Sequence, residues 1–201
     1  MFKIVYDLPN DKSFAFVSRS GSSSMGLMAL KQFYPEKIAE YERDLNNLNT
    51  GLSHRLLGGR LVNKLPDGCA VMLRNPIERF GSLLNRTGYD IESALELVFW
   101  VYNAGEAPAR NNRRIERSSL DAAYHFMPYS LMITENSRLF KFPDLKNMAV
   151  YLGIDENIAC EHINEISQPL LFNPNQLSKI QQAYAQDIEI WNSPRVDFAV
   201  T

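Results

Sequence analysis

Phe14-Ala15-Phe16-Val17-Ser18-Arg19-Ser20-Gly21-Ser22-Ser23-Ser24 is a short apolar run that gives way at once to a Gly/Ser turn. Phe14–Val17 reads as a buried strand, and the turn delivers the chain into a helix from about Ser24 to Phe33. About fifty residues further on, Ala70-Val71-Met72-Leu73-Arg74-Asn75-Pro76-Ile77-Glu78-Arg79-Phe80-Gly81-Ser82 repeats the plan. Cys69–Leu73 is continuously apolar, as a strand covered on both faces would be. Pro76 sits near the first turn of the next helix, where its missing N–H costs nothing. Strands alternating with helices predict an α/β domain with a mostly parallel sheet. Ligands of such sheets bind at the carboxyl ends of strands, where both segments turn.

Outward from these segments the pattern continues. Pro35 starts a second helix, with Ile38, Tyr41, Leu45 and Leu48 at helical spacing and Glu36, Lys37, Glu40 and Arg43 on the other face. Asn46–Leu65, with Gly51, Gly58 and Gly59, reads as a loop with room for a short strand or helix. Asp90 is placed to cap a long helix through about Asn103. Leu95, Val98, Phe99, Trp100 and Val101 make that helix apolar nearly all round, so it is expected to be buried. Ala107–Arg117 is a basic loop, and Ser130–Thr134 and Arg138–Phe142 read as short strands. Pro143–Leu152 reads as a helix closed by Gly153. Asn173-Pro174 opens the last helix, with Leu177, Ile180, Tyr184, Ile188 and Trp191 on one stripe. There is no internal repeat and no low-complexity tract.

The 201 residues are expected to form one domain, 1–201, with a single core. Apolar content of 45% and charged content of 22% are ordinary for a soluble globular protein. A net charge of -2 argues against a general nucleic-acid binder. Two cysteines, Cys69 and Cys160, make a disulfide framework unlikely and fit a reducing compartment; Cys69, in an apolar strand, reads as a core residue. Met1–Tyr6 is followed at once by Asp7 and Pro9, which is no signal peptide, and no apolar run is long enough for a membrane span. The expectation is a cytoplasmic protein without membrane association, of bacterial or viral origin.

The first segment is chemically suited to an anion. A strand-to-helix turn points several backbone N–H groups one way, and the helix N-terminus adds about half a positive charge. Gly21 allows close backbone approach, Ser22, Ser23 and Ser24 add hydroxyl donors, and Arg19 adds a full charge. An ATP-type P-loop would need Gly-x-x-x-x-Gly-Lys followed by Ser or Thr, and that is absent. Alternatively the turn is a Ser-rich helix cap and the second segment a corner with solvated arginines.

Together and in this order, the two segments resemble the cofactor-binding motifs of the sulfotransferases, which use adenosine 3'-phosphate 5'-phosphosulfate (PAPS) as sulfuryl donor. The resemblance implies a three-layer P-loop-like α/β domain, with a central mostly parallel sheet flanked by helices. It is nearest to the carbohydrate-type members. Arg19, Ser20, Gly21, Ser22, Ser23 and Ser24 match the first loop residue by residue. Ser18 stands where many relatives have Pro, and Arg19 where many have Lys. Arg is no proton donor at working pH, so the role implied for Arg19 in catalysis is electrostatic. Arg74 and Ser82 stand at the spacing of the Arg and Ser that clasp the cofactor's 3'-phosphate. Arg79 matches a further Arg of the carbohydrate type; a surface salt bridge with Glu78 or Asp90 is its other reading. Asp121–Pro128, with His125-Phe126-Met127-Pro128, is similar to a His-Phe-x-Pro region of those enzymes. Arg138–Leu145, then Tyr151–Ile154, and the Tyr184-x-x-Asp187 of the last helix are similar to later pieces.

The implied reaction is sulfuryl transfer to a hydroxyl or amine of a carbohydrate or small-molecule acceptor, without a metal. A base must take the acceptor's proton. His54 lies twenty residues before Arg74, where small-molecule sulfotransferases place their catalytic His. Glu36, Glu40, Glu42 and His125 are alternatives, and His162 reads as structural. Arg110, Arg113, Arg114 and Arg117 form either a solvated loop or a contact to an acidic acceptor or the cofactor. Two other functions stay open: a P-loop small-molecule kinase, and an inactive relative that binds nucleotide or a partner. The acceptor and the oligomeric state are not legible.

Overall fold

In a computed structural model, residues 3–45, 52–103, 125–155, 157–158 and 170–194 are described. Five short strands form one sheet: β1 (Lys3–Asp7), β2 (Ser13–Ala15), β3 (Arg60–Val62), β4 (Ala70–Leu73) and β5 (Arg138–Lys141), in the order β3-β1-β2-β4-β5. β2, β4 and β5 are parallel neighbours, whereas β1 pairs antiparallel with both β2 and β3. Four of the five strands therefore run the same way, and β1 alone is reversed. The β1–β2 hairpin lies outside the expectations from sequence, whereas β3 and the helix over Leu52–Leu57 fall in the stretch Asn46–Leu65 that leaves room for a short strand or helix. Leu8 N donates to Lys12 O across its turn, and Asp11 takes a φ of 60° there.

The helices are α1 (Ser22–Phe33), α2 (Ile38–Leu45), α3 (Leu52–Leu57), α4 (Pro76–Thr87), α5 (Ile91–Asn103), α6 (Leu145–Tyr151), α7 (Pro174–Ala183) and α8 (Ala185–Asn192). A 3-10 turn over Pro35–Lys37 leads into α2, as Pro35 requires. The strands present alternate side chains to two cores. Tyr6, Phe14, Ala70 and Met72 pack with Met25, Met28, Leu30, Leu145 and Met148 of α1 and α6. Val5, Ala15, Val71 and Leu73 pack on the opposite side with Val101, Met127, Tyr129 and Met132. A third cluster joins Phe80, Leu83 and Leu84 of α4 to Leu95 and Val98 of α5 and to Ile180 and Tyr184.

Several local expectations are corrected. β2 ends at Ala15 rather than Val17, although Phe16 N still donates to Ile4 O. α1 begins two residues earlier than expected, at Ser22. α5 is not buried all round: Ala94, Leu95, Val98 and Val101 face inward while Phe99 is 45% exposed. Ser130–Thr134 is no strand, because Tyr129–Leu131 is wound into a 3-10 turn whose N–H groups are taken by Asp187. The last helix breaks at Tyr184 (φ -112°, ψ 25°) into α7 and α8. Gly153 (φ +72°) does follow α6, one residue after its C-cap Leu152. Ala107–Arg117, with all four arginines of the basic loop, lies outside the described residues, as do Cys160 and His162.

Candidate anion-binding site

The parallel order β2-β4-β5 brings three carboxyl ends side by side, and each supplies part of one site. β2 delivers the loop Val17–Gly21. Ser20 N and Ser22 Oγ both donate to Val17 O, at 3.3 and 3.1 Å, which curls the loop into the start of α1. Arg19 has a φ of 62° and Gly21 a φ of 77°. The left-handed region costs a non-glycine residue about 1–2 kcal/mol, so Arg19 is held there by its surroundings. At Gly21 a Cβ would sit 3.0 Å from Phe142 and 3.1 Å from Leu145, so no side chain is accommodated without displacing them. No acidic residue occupies the first turn of α1.

β4 delivers Arg74. Asn75 caps α4 by accepting from Ile77 N and Glu78 N, and Pro76 takes the first helical position. α4 then projects Ser82 back to the β2 loop, where Arg19 Nε donates to Ser82 Oγ at 2.9 Å. Arg74 Nη1 donates to Arg19 O at 3.4 Å. β5 delivers Phe142, whose ring lies under the Arg74 guanidinium at 5.3 Å. Residues more than fifty positions apart, singled out in two separate segments, thus meet at one point.

The electrostatics of this point are lopsided. Burial first, and then the charges of Arg74 and Arg86, push the Arg19 guanidinium below its ordinary value; it remains protonated at neutral pH. Among the described residues, the arginine pair meets a carboxylate at Glu78, 3.5 Å from Arg74 Nε and 60% exposed, so it compensates little. Among the described residues, the buried Ser20 Oγ has no hydrogen-bond partner, and Arg74 Nε has none beyond its ion pair with Glu78. Like charges crowded beside orphaned donors are stabilised by an anion.

Behind the loop stands a polar brace centred on Arg79, for which a surface salt bridge is one of two readings from the sequence. Arg79 is 1% exposed and forms no salt bridge with Glu78 or Asp90. Its Nε donates to Ser18 O at 3.0 Å, and its Nη2 to His125 O and Met127 O at 3.0 and 2.9 Å. Asp90 instead caps α5 through Ser93. Tyr184 donates to Phe126 O at 2.8 Å, and Asp187 accepts from Tyr129 N and Ser130 N, both at 2.9 Å. Burial pushes the Asp187 carboxyl up, while Arg79 and those N–H groups pull it back. The His-Phe-x-Pro piece and the Tyr-x-x-Asp piece are therefore one construction. His125 Nδ1 ends 2.8 Å from Ser18 Oγ.

The expected bases fare differently. His54 is carried by α3, and its side chain lies outside the described residues. Glu40 pairs with Arg55 at 3.6 Å, and Glu36 and Glu42 are exposed. Ser22, Ser23 and Ser24 form the first turn of α1, with Ser22 and Ser24 buried. No cluster of three metal-binding side chains occurs among the described residues, and no described helix is long and apolar enough to cross a membrane. Compared with protein-family models, curated proteins and solved structures, the chain finds no match.

Proposed function

We propose that the chain is a PAPS-dependent sulfotransferase on a three-layer P-loop-like frame, transferring a sulfuryl group to a hydroxyl or amine of a carbohydrate or small-molecule acceptor. The observation that carries this reading is the meeting of Arg19, Ser82 and Arg74 at one point. The parallel neighbours β2 and β4 bring their following turns together in any case, so the support comes from what meets there: two guanidinium groups, a serine hydroxyl and the N-terminus of α1.

The residues present fit such a donor. Ser20 Oγ is a buried donor without a partner among the described residues, and Gly21 leaves the loop open where a Cβ would crowd Phe142. Arg74 and Ser82 would hold the 3'-phosphate, Arg74 with a planar fork suited to two phosphate oxygens. Ser20 to Ser24 and the α1 N-terminus would hold the 5' end. When bound, the donor supplies the sulfuryl group and leaves as adenosine 3',5'-bisphosphate. Arg19 contributes fixed positive charge where negative charge grows on the leaving phosphate; it transfers no proton. The proton of the acceptor goes to a base, for which His54 on α3 is the candidate.

The test is a thermal-shift titration with adenosine 3',5'-bisphosphate run beside ATP–magnesium. At about a hundred times its dissociation constant, the bisphosphate should add roughly 2.7 kcal/mol of apparent stability. Arg74→Ala should abolish that gain. Stabilisation by ATP–magnesium alone would replace this reading with a kinase. Bisphosphate binding without transfer from PAPS to any acceptor would mark an inactive binding relative.

A further inference from the structure

Ser18 is gripped from two neighbouring segments. Arg79 Nε takes its carbonyl at 3.0 Å, and its hydroxyl lies 2.8 Å from His125 Nδ1. Arg79 Nη2 takes the His125 carbonyl at 3.0 Å, so residues 18, 79 and 125 close a ring of hydrogen bonds. That ring stands immediately before Arg19, the residue held at positive φ.

An imidazole decides which way the hydroxyl donates. A neutral ring with Nδ1 unprotonated accepts, and the Ser18 proton points into it. An imidazolium donates from Nδ1, so Ser18 Oγ becomes the acceptor and its own proton turns to another partner. An anion on the loop is such a partner, and its charge also favours the imidazolium. We propose that His125 is a positioning residue of the anion-binding loop: proton uptake on its ring turns the Ser18 hydroxyl towards a bound oxyanion, so that oxyanion binding and protonation are coupled. This rests on the loop being an anion site, not on the identity of the sulfuryl donor.

Charged and titratable groups stand close to the ring. Arg79 on α4 donates to the His125 carbonyl, and Asp187 on α8 faces Arg79 from behind. Tyr184, at the junction of α7 and α8, and Tyr129, on the 3-10 turn, hold the segment through hydrogen bonds of their own hydroxyls. An anion beside the loop favours the imidazolium through its charge, whatever the ring's resting state. By reciprocity, low pH must tighten the anion.

Inorganic sulfate is the probe, because its own charge does not change across the histidine range. Calorimetric titration at constant ionic strength should show roughly fivefold or greater tightening between about pH 8.5 and about pH 5.5. His125→Asn keeps an amide N–H for Ser18, so it should bind sulfate with little pH dependence. His125→Ala should bind more weakly at both pH values. The ring resonance assigned to His125 should titrate at higher pH in sulfate than in chloride. A pH-independent wild-type affinity, full pH dependence in His125→Asn, or no sulfate binding at either pH overturns the proposal. Coupled sulfate binding without any affinity for adenosine 3',5'-bisphosphate would uphold it and sink the sulfotransferase reading alone.

Discussion

Arg79 carries more of the site than any residue that would touch a ligand. Its guanidinium joins Ser18, His125 and Met127 by their carbonyls, and its charge faces the buried Asp187. Removing it leaves three buried acceptors without that donor and a carboxylate without its compensating charge. Breaking a buried charge arrangement from one side typically costs about 3–5 kcal/mol. Arg79→Met should lose that much in urea denaturation, and Arg79→Lys an intermediate amount, since one ammonium cannot reproduce the planar fork. A loss under about 1 kcal/mol in Arg79→Met would show that water replaces the brace. The sequence could not reveal this role. A charged residue next to Glu78 on a helix reads as surface, and only the return of residues 125–127 to the β2 loop gives its fork something to hold.

At the scale of elements, the strand–turn–helix units were legible because each concentrates its signals locally. Asn75, Pro76 and the apolar run before them mark the start of α4 within a few residues, and Gly21 marks the turn before α1. The misread elements answer to partners far along the chain. Ser130–Thr134 has strand-like composition, yet Asp187, almost sixty residues away, accepts two successive N–H groups there and winds the turn. The stripe from Leu177 to Trp191 is periodic, yet the helix breaks at Tyr184, whose hydroxyl is tied to Phe126 O. β1 is short and carries a charged residue at each end, so it lacks the alternating signature. A local signal should have a local cost. Asn75→Ala removes the acceptor of Ile77 N and Glu78 N and should destabilise by about 1 kcal/mol, while Asn75→Ser should be nearly neutral. Equal losses in both variants would mean that Asn75 acts through something other than its cap.

Across the whole molecule, the sheet links two ends with opposite chemistry. The carboxyl ends of β2 and β4 carry Arg19 and Arg74, while the amino end of β4 holds Cys69 in the apolar core, its carbonyl taken by Arg138 N. Burial pushes the Cys69 thiol up to about 11, so thiolate, the reactive form, is scarce in the native state. Alkylation of Cys69 therefore requires the centre of the sheet to open. β4 is shared by both ends: its Leu73 carbonyl accepts from Phe142 N, and Arg74 follows directly. A ligand that binds only the native site lowers the open population by one plus the ratio of its concentration to its dissociation constant. In a Cys160→Ser background, labelling of Cys69 near neutral pH should be slow. It should slow by about a further hundredfold when adenosine 3',5'-bisphosphate is present at a hundred times its dissociation constant. Arg74→Ala should erase that protection without making the thiol reactive in the ligand-free protein. Labelling that ignores a ligand shown to bind would mean that β4 opens at its amino end alone, and that the two ends of the sheet are energetically separate.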